Sequence, residues 1–249
     1  MVHERSARVI IRGIASSNLS ALTDYLRTVS GVDVDHGVVS VEKIQDFNGL
    51  LARIAATRAA NKCLNGETEV DLLVPVESAL NSDPRVFRAK GIDSLPAIGI
   101  QRGVEIAVPY RLYLPRRFFP QFSLLASVKP MDRRGGYLFA IVNPYDTMVD
   151  VGVLLEPAGS GQTNISLIYS SRRDATSRAI ASFIVPEFVQ QWTQIAFEVN
   201  KDSVTLYFKC IRFAEREISD LPQLTMEDAH KLYIGSAGPI LGSGFEVYF

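Results

Sequence analysis

Cysteine is nearly absent: Cys63 and Cys210 are the two in 249 residues, too few for a disulfide-dense scaffold and without the spacing of a metal site. Histidine is almost as scarce. His3, His36 and His230 lie far apart, none sits in a Gly-x-Ser-x-Gly or His-Glu-x-x-His setting, and no Gly-rich phosphate loop follows a strand. These absences leave catalysis without support. Charge of one sign is not in excess either, because 26 basic residues face 27 acidic ones. No global field therefore argues for nucleic acid, and anion binding must come from a local patch. No apolar run approaches the ~20 residues that cross a bilayer. Val9-Ile10-Ile11 is cut by Arg12 and falls short of the roughly 7–15 apolar residues of a secretory signal, so no export signal is expected in the sequence as it stands.

What is present is β-sheet. Three pieces between Phe118 and Leu155 are rich in β-branched and aromatic residues and bounded by Gly, Pro, Asn or Asp: Phe118–Val128, Gly136–Val142 and Met148–Leu155. They read as three consecutive antiparallel strands forming the inner layer of an all-β sandwich. A period of two puts Phe122, Leu124, Ala126 and Val128 on one face of the first, and Val149, Val151, Val153 and Leu155 on one face of the third. Further strands are expected around Ile165–Tyr169, Ile180–Val185, Trp192–Val199 and Val204–Cys210, and Phe245–Phe249 reads as a last one. Turn residues punctuate them as in a sandwich or jelly roll.

The first 68 residues differ. Residues 7 to 14 and Val38 to Ile44 read as strands. Ser20 to Val29 and Gln45 to Lys62 read as amphipathic helices. A small βαβα-like segment over 1–68 is therefore expected before a β-sandwich over 69–249, with the turn signal Asn65-Gly66 near the boundary. An intracellular enzyme or nucleotide-binding α/β protein built on that first segment is the alternative reading of the whole chain.

The run Gln191-Trp192-Thr193-Gln194-Ile195-Ala196, followed by Val204-Thr205-Leu206-Tyr207-Phe208-Lys209-Cys210, resembles the Q-W-T-x-hydrophobic-A … V-x-L-Y-x-x-C hairpin of thrombospondin N-terminal-like domains, which are laminin-G-like jelly rolls. Phe122-Ser123-Leu124-Leu125, Gly136 to Ile141, Val151-Gly152-Val153 and Ile165 to Tyr169 are similar to the amino-terminal non-collagenous domain of the multiplexin collagens, types XV and XVIII. The resemblance runs from about Val70 to Phe245. It implies a non-enzymatic, secreted module of the extracellular matrix or basement membrane whose partners are glycosaminoglycan, heparan sulfate above all, and matrix proteins, with no cofactor. In that family the cysteine matching Cys210 pairs with one beyond the last strand, and the closing strand reads F-x-G-x-(I/L)-x. Here Phe245-Glu246-Val247-Tyr248-Phe249 stands in its place, so a truncated closing strand is expected, and Cys210 either stays a thiol or pairs with Cys63. A collagenous stem, absent from this sequence, is what would bring trimers.

Against that background the arginines are the candidate site. Between Arg102 and Arg178 ten basic residues stand against six acidic ones, with Arg116, Arg117, Arg133, Arg134, Arg172, Arg173 and Arg178 at strand ends or in loops. Guanidinium forks suit sulfate and carboxylate. Two readings stand: one rim that binds a sulfated glycan such as heparin, or ordinary solvated loop charge. Asn18-Leu19-Ser20 and Asn164-Ile165-Ser166 are N-glycosylation sequons, and Asn164, opposite Ile165 and Leu167 on its strand, is expected to face solvent. Ca²⁺ held by Asp132, Asp146 and Asp150 has no supporting ligand spacing. Trp192 reads as a structural residue rather than a sugar platform.

Overall fold

The computed structural model describes residues 10–13, 68–171, 174–219, 221–242, 244 and 246–249. By contacts the chain divides into one unit of Met1–Arg12 and Glu69–Phe249 and another of Gly13–Thr68. The expected strand Val38 to Ile44 and the two expected helices lie outside the described residues, as do Asn18 and Cys63.

The described residues form two antiparallel sheets. Six strands make the smaller one: β5 (Ile106–Pro109), β7 (Gly136–Val142), β8 (Val149–Pro157), β9 (Gln162–Tyr169), β10 (Ala179–Pro186) and β14 (Lys231–Ile234), in the order β10-β9-β8-β7-β14-β5. The larger sheet contains β3 (Val86–Lys90), β4 (Pro96–Ile100), β6 (Phe122–Pro130), β11 (Thr193–Val199), β12 (Ser203–Phe208), β13 (Ile211–Glu217) and β15 (Val247–Tyr248), in the order β13-β12-β11-β6-β15-β4-β3. β1 (Ile10–Gly13) pairs with β6 and with β2 (Thr68–Asp71). A short helix, α1 (Val74–Ala79), carries Pro75 in its first turn, where a missing N–H costs nothing. This is a jelly-roll sandwich.

Period-two alternation builds the core. Phe122, Leu124, Ala126 and Val128 of β6 all face inward, as do Ile195, Phe197 and Val199 of β11, and both sets are at most 2% exposed. Facing them are Val151, Val153 and Leu155 of β8 and Ile165 and Leu167 of β9. A second apolar cluster lies apart from this core, with Ala140, Val142, Val149 and Tyr233 packed together.

Three expectations are corrected here. The stretch from Phe118 does not make three strands of one layer, because β6 sits in the larger sheet while β7 and β8 sit in the smaller. The chain crosses between sheets at residues 131–135, where Asp132 Oδ1 accepts the Arg134 N–H at 2.8 Å and Gly135 adopts φ +72°. A Cβ at Gly135 would lie 2.1 Å from the Leu155 carbonyl oxygen, so glycine is required at this crossing. Val149 leaves the face of Val151, since a register shift between Ile141 and Val142 turns it to the second cluster. Cys210 is not in a strand: Lys209 and Cys210, at φ 51° and 70°, form the two-residue turn joining β12 to β13, with the positive φ pair of a primed hairpin turn.

Candidate functional site

Strand registers fix which loops share an end. Gly136 opposes Leu155, Pro157 opposes Thr163 and Gln162 opposes Pro186, so the 131–135 crossing lies at one end, the crossover end. Val142 opposes Val149 and Lys231, Val151 opposes Tyr169, and Ala179 opposes Ile168, which assembles the other, histidine end. β6 runs from Phe122 at the histidine end to Pro130 at the crossover end. Its nine residues, at ~3.3 Å each, separate the two ends by roughly 25 Å.

The candidate arginines do not share one rim. Arg133 and Arg134 are at the crossover end, and both are ion-paired: Arg133 Nη2 to Glu187 at 2.9 Å, Arg134 Nη2 to Asp132 at 3.1 Å. Asp132 also receives Arg102 at 2.8 Å, and Arg102 donates to the Gly244 carbonyl. Partial burial would raise the Asp132 carboxyl, but the Arg102 hydrogen bond, the Arg134 N–H and both guanidinium charges outweigh it and hold the group below its ordinary value. These arginines are largely neutralised in place. The cavity among Asp132, Arg133, Glu156 and Glu187 is about 40 Å³, close to the room one water needs, so no sugar ring fits between those carboxylates.

Arg116, Arg117 and Arg178 gather at the histidine end. Arg117 bridges to Thr225, and the Arg116 carbonyl accepts the Met226 N–H at 2.8 Å. The next residue, fully buried Phe118, packs 5.1 Å from Phe122 and 6.3 Å from Tyr169 between ring centroids. The Tyr169 N–H in turn donates to the Arg178 carbonyl at 3.0 Å. Burial pushes the Tyr169 hydroxyl up to about 12, and it donates to the Pro222 carbonyl at 2.9 Å, tying the loops of this end together. Arg178 reaches Asp174 only at 4.0 Å. Arg116 and Arg117 are exposed, and no described carboxylate lies within ion-pair range of either. Arg172 and Arg173 lie outside the described residues.

Under this end sits a pair that sequence reasoning missed. His230 Nε2 lies 2.9 Å from Asp150 Oδ2, with both side chains buried. His230 Nδ1 accepts the Glu227 N–H at 2.8 Å, so in the neutral ring Nε2 carries the proton and donates to Asp150. The two residues are 80 positions apart, and no local pattern announces them. The three aspartates considered for Ca²⁺ are dispersed: Asp132 serves arginines, Asp150 serves His230, and Asp146 accepts from Lys231 and from the Tyr233 hydroxyl. Among the described residues no cluster of three or more His, Cys, Asp or Glu is placed to hold a metal. No helix there is long and apolar enough to cross a membrane. Trp192 is half-buried, one residue before β11.

Fold and site together define a two-sheet antiparallel jelly roll with a basic rim at one end, where Arg116 and Arg117 have no carboxylate partner among the described residues. No family model matches the chain. Over 129 residues it is 35% identical to the human (Homo sapiens) collagen alpha-1(XVIII) chain, covering 51% of this chain and 7% of that one, so the chain corresponds to a small part of that relative. The resemblance to the thrombospondin N-terminal-like domain of the type XV/XVIII collagens therefore stands. Among solved structures it is similar to domains LG4-5 of the mouse laminin alpha1 chain, at 12% identity and a TM-score of 0.39 over 59% of this chain and 38% of that one. It is also similar to a GH16 protein of Bacteroides ovatus in complex with a G4G4G3G product, at 13% identity and a TM-score of 0.40 over 67% of this chain and 83% of that one.

Proposed function

We propose that this domain is a non-enzymatic, secreted interaction module of the extracellular matrix, and that its histidine-end rim of Arg116, Arg117 and Arg178 binds a sulfated glycosaminoglycan such as heparan sulfate. The observation that carries this reading is the difference in pairing. Arg116 and Arg117 are exposed and have no described carboxylate partner, whereas Arg133 and Arg134 are held by Glu187 and Asp132. A guanidinium already bonded to a carboxylate offers sulfate a partly neutralised charge and fewer free N–H donors than an unpaired one. The likeness to a collagen chain supports the matrix setting, and matrix proteins are the second class of partner. The alternative of an enzyme or nucleotide-binding protein rests on the segment 1–68, of which all but residues 10–13 and 68 lie outside the described residues.

Heparin chromatography tests this. Changing Arg116 and Arg117 to Ala lowers the elution salt, because each released phosphate- or sulfate-type contact reduces the salt dependence by about one counterion. Changing Arg133 and Arg134 to Ala leaves elution nearly unchanged. Equal shifts for the two pairs, or no shift for the first, reject the rim.

A further inference from the structure

β10 and β13 are the outermost strands of their sheets at the same side of the sandwich, and between them the surface opens into a groove of about 640 Å³. Six of its lining residues matter: Glu156, Asn164, Ser182, Ile184, Phe213 and Arg216. Two are large apolar side chains left unusually bare, Ile184 at 54% and Phe213 at 43% exposure. Asn164 is half-buried rather than facing open solvent as expected, and its Nδ2 donates to Ser166 Oγ at 3.1 Å. Its Oδ1 is buried with no partner. Turning the amide over leaves the nitrogen unpaired instead, so one polar atom stands open in either orientation, and buried polar atoms are seldom left so. Ser182 Oγ is 2.9 Å from Ser166 Oγ. Arg216 lays its guanidinium 5.4 Å over the Phe183 ring, and neither it nor Glu156 has a carboxylate or cationic partner among the described residues.

We propose that this groove binds a neutral sugar residue of an oligosaccharide. One acid, Glu156, and one base, Arg216, line it, so the site has no net charge with which to select a polyanion. A carboxylate and a guanidinium each bridge adjacent hydroxyls with two hydrogen bonds. Asn164 places at the edge of the groove a polar atom that has no partner among the described residues, in whichever sense the amide is turned. The apolar C–H face of a pyranose packs against Phe213 and Ile184. The volume falls in the ~300–1,000 Å³ span of small-ligand clefts. The site is distinct from the arginine rim in both position and charge: it takes hydroxyls, where the rim takes sulfates. Asn164 also heads a sequon, and an N-linked glycan on its Nδ2 would fill the same groove.

The test therefore uses the full chain made in a host without N-glycosylation. It is titrated with cellotetraose, maltotetraose, lactose and N-acetyllactosamine, with a heparin hexasaccharide as charged comparator, and read by saturation-transfer NMR. At least one neutral sugar binds, and Phe213→Ala and Asn164→Ala each weaken it by about tenfold, while changing Arg116 and Arg117 to Ala leaves it unchanged. Arg216→Gln, at an exposed position, provides a variant that keeps the fold, and melting curves of every variant separate lost binding from lost structure. Failure of all four neutral sugars to bind, unchanged affinity in the groove variants, or weakening of the heparin fragment by them each overturns the proposal. Heparin binding at the rim is read separately, so either site can fail alone.

Discussion

The two ends of the sandwich carry similar numbers of arginines and do different things with them. At the crossover end Arg102, Arg133 and Arg134 are spent on Asp132 and Glu187, and the result is a braced loop. At the histidine end the buried carboxylate of Asp150 is committed to His230, and Arg116 and Arg117 at that end are left to solvent. Counting charges along the chain cannot separate these cases. What separates them is where the acids fall when the loops close.

The comparison predicts unequal costs. Asp150→Ala has the largest effect: it strands the His230 Nε2–H in the interior and destabilises the domain by about 3 kcal/mol, read by urea unfolding. Asp150→Asn, which keeps an acceptor, recovers part of that loss. Asp132→Asn at the opposite end costs less, about 1 kcal/mol, because its partners are partly solvated. Its pH dependence identifies the cause. The folded Asp132 carboxyl titrates below its ordinary value, so its contribution is present above the usual carboxylate range and is lost as pH falls through the lowered folded value. The Tm gap between the native chain and Asp132→Asn should hold from neutral pH to about 4 and close below it. A gap that widens in acid breaks this account. Arg133→Ala has the smallest effect, under ~0.5 kcal/mol, since its pair with Glu187 sits on the surface. A loss comparable to that of Asp150→Ala would mean that the crossover end, not the histidine end, holds the structure together.

Much of the sheet was legible in the sequence. Gly136–Val142 was read to the residue as β7, and the inward face of β6 followed from alternation alone. Alternation tells which side of a strand is buried, but not which sheet the strand joins, and so the crossing at Asp132 and Gly135 was missed. β13 was missed as well. Ile-Arg-Phe-Ala-Glu-Arg-Glu is charged at most positions and exposed along nearly its whole length, as an edge strand is, and shows no apolar period. For the candidate site, residue type was legible and assembly was not. Arg102 and Asp132 are 30 positions apart, and Asp150 and His230 are 80. Only folding brings such partners together.

β15 has a further consequence, one for the order in which the protein is made. Val247 and Tyr248 pair with Pro130 and Lys129 of β6 on one side and with Ile100 and Gly99 of β4 on the other. Phe249 extends the pairing to Ile98, so along the path of the larger sheet β4 is joined to β6 through β15, yet eight strands separate β6 from β15 in sequence. A chain leaving the ribosome therefore carries the β3–β4 hairpin and the Lys129–Pro130 end of β6 unjoined until Val247 and Tyr248 arrive. Closing so distant a seam is slow, and an unpaired edge in the meantime is where neighbouring chains add on.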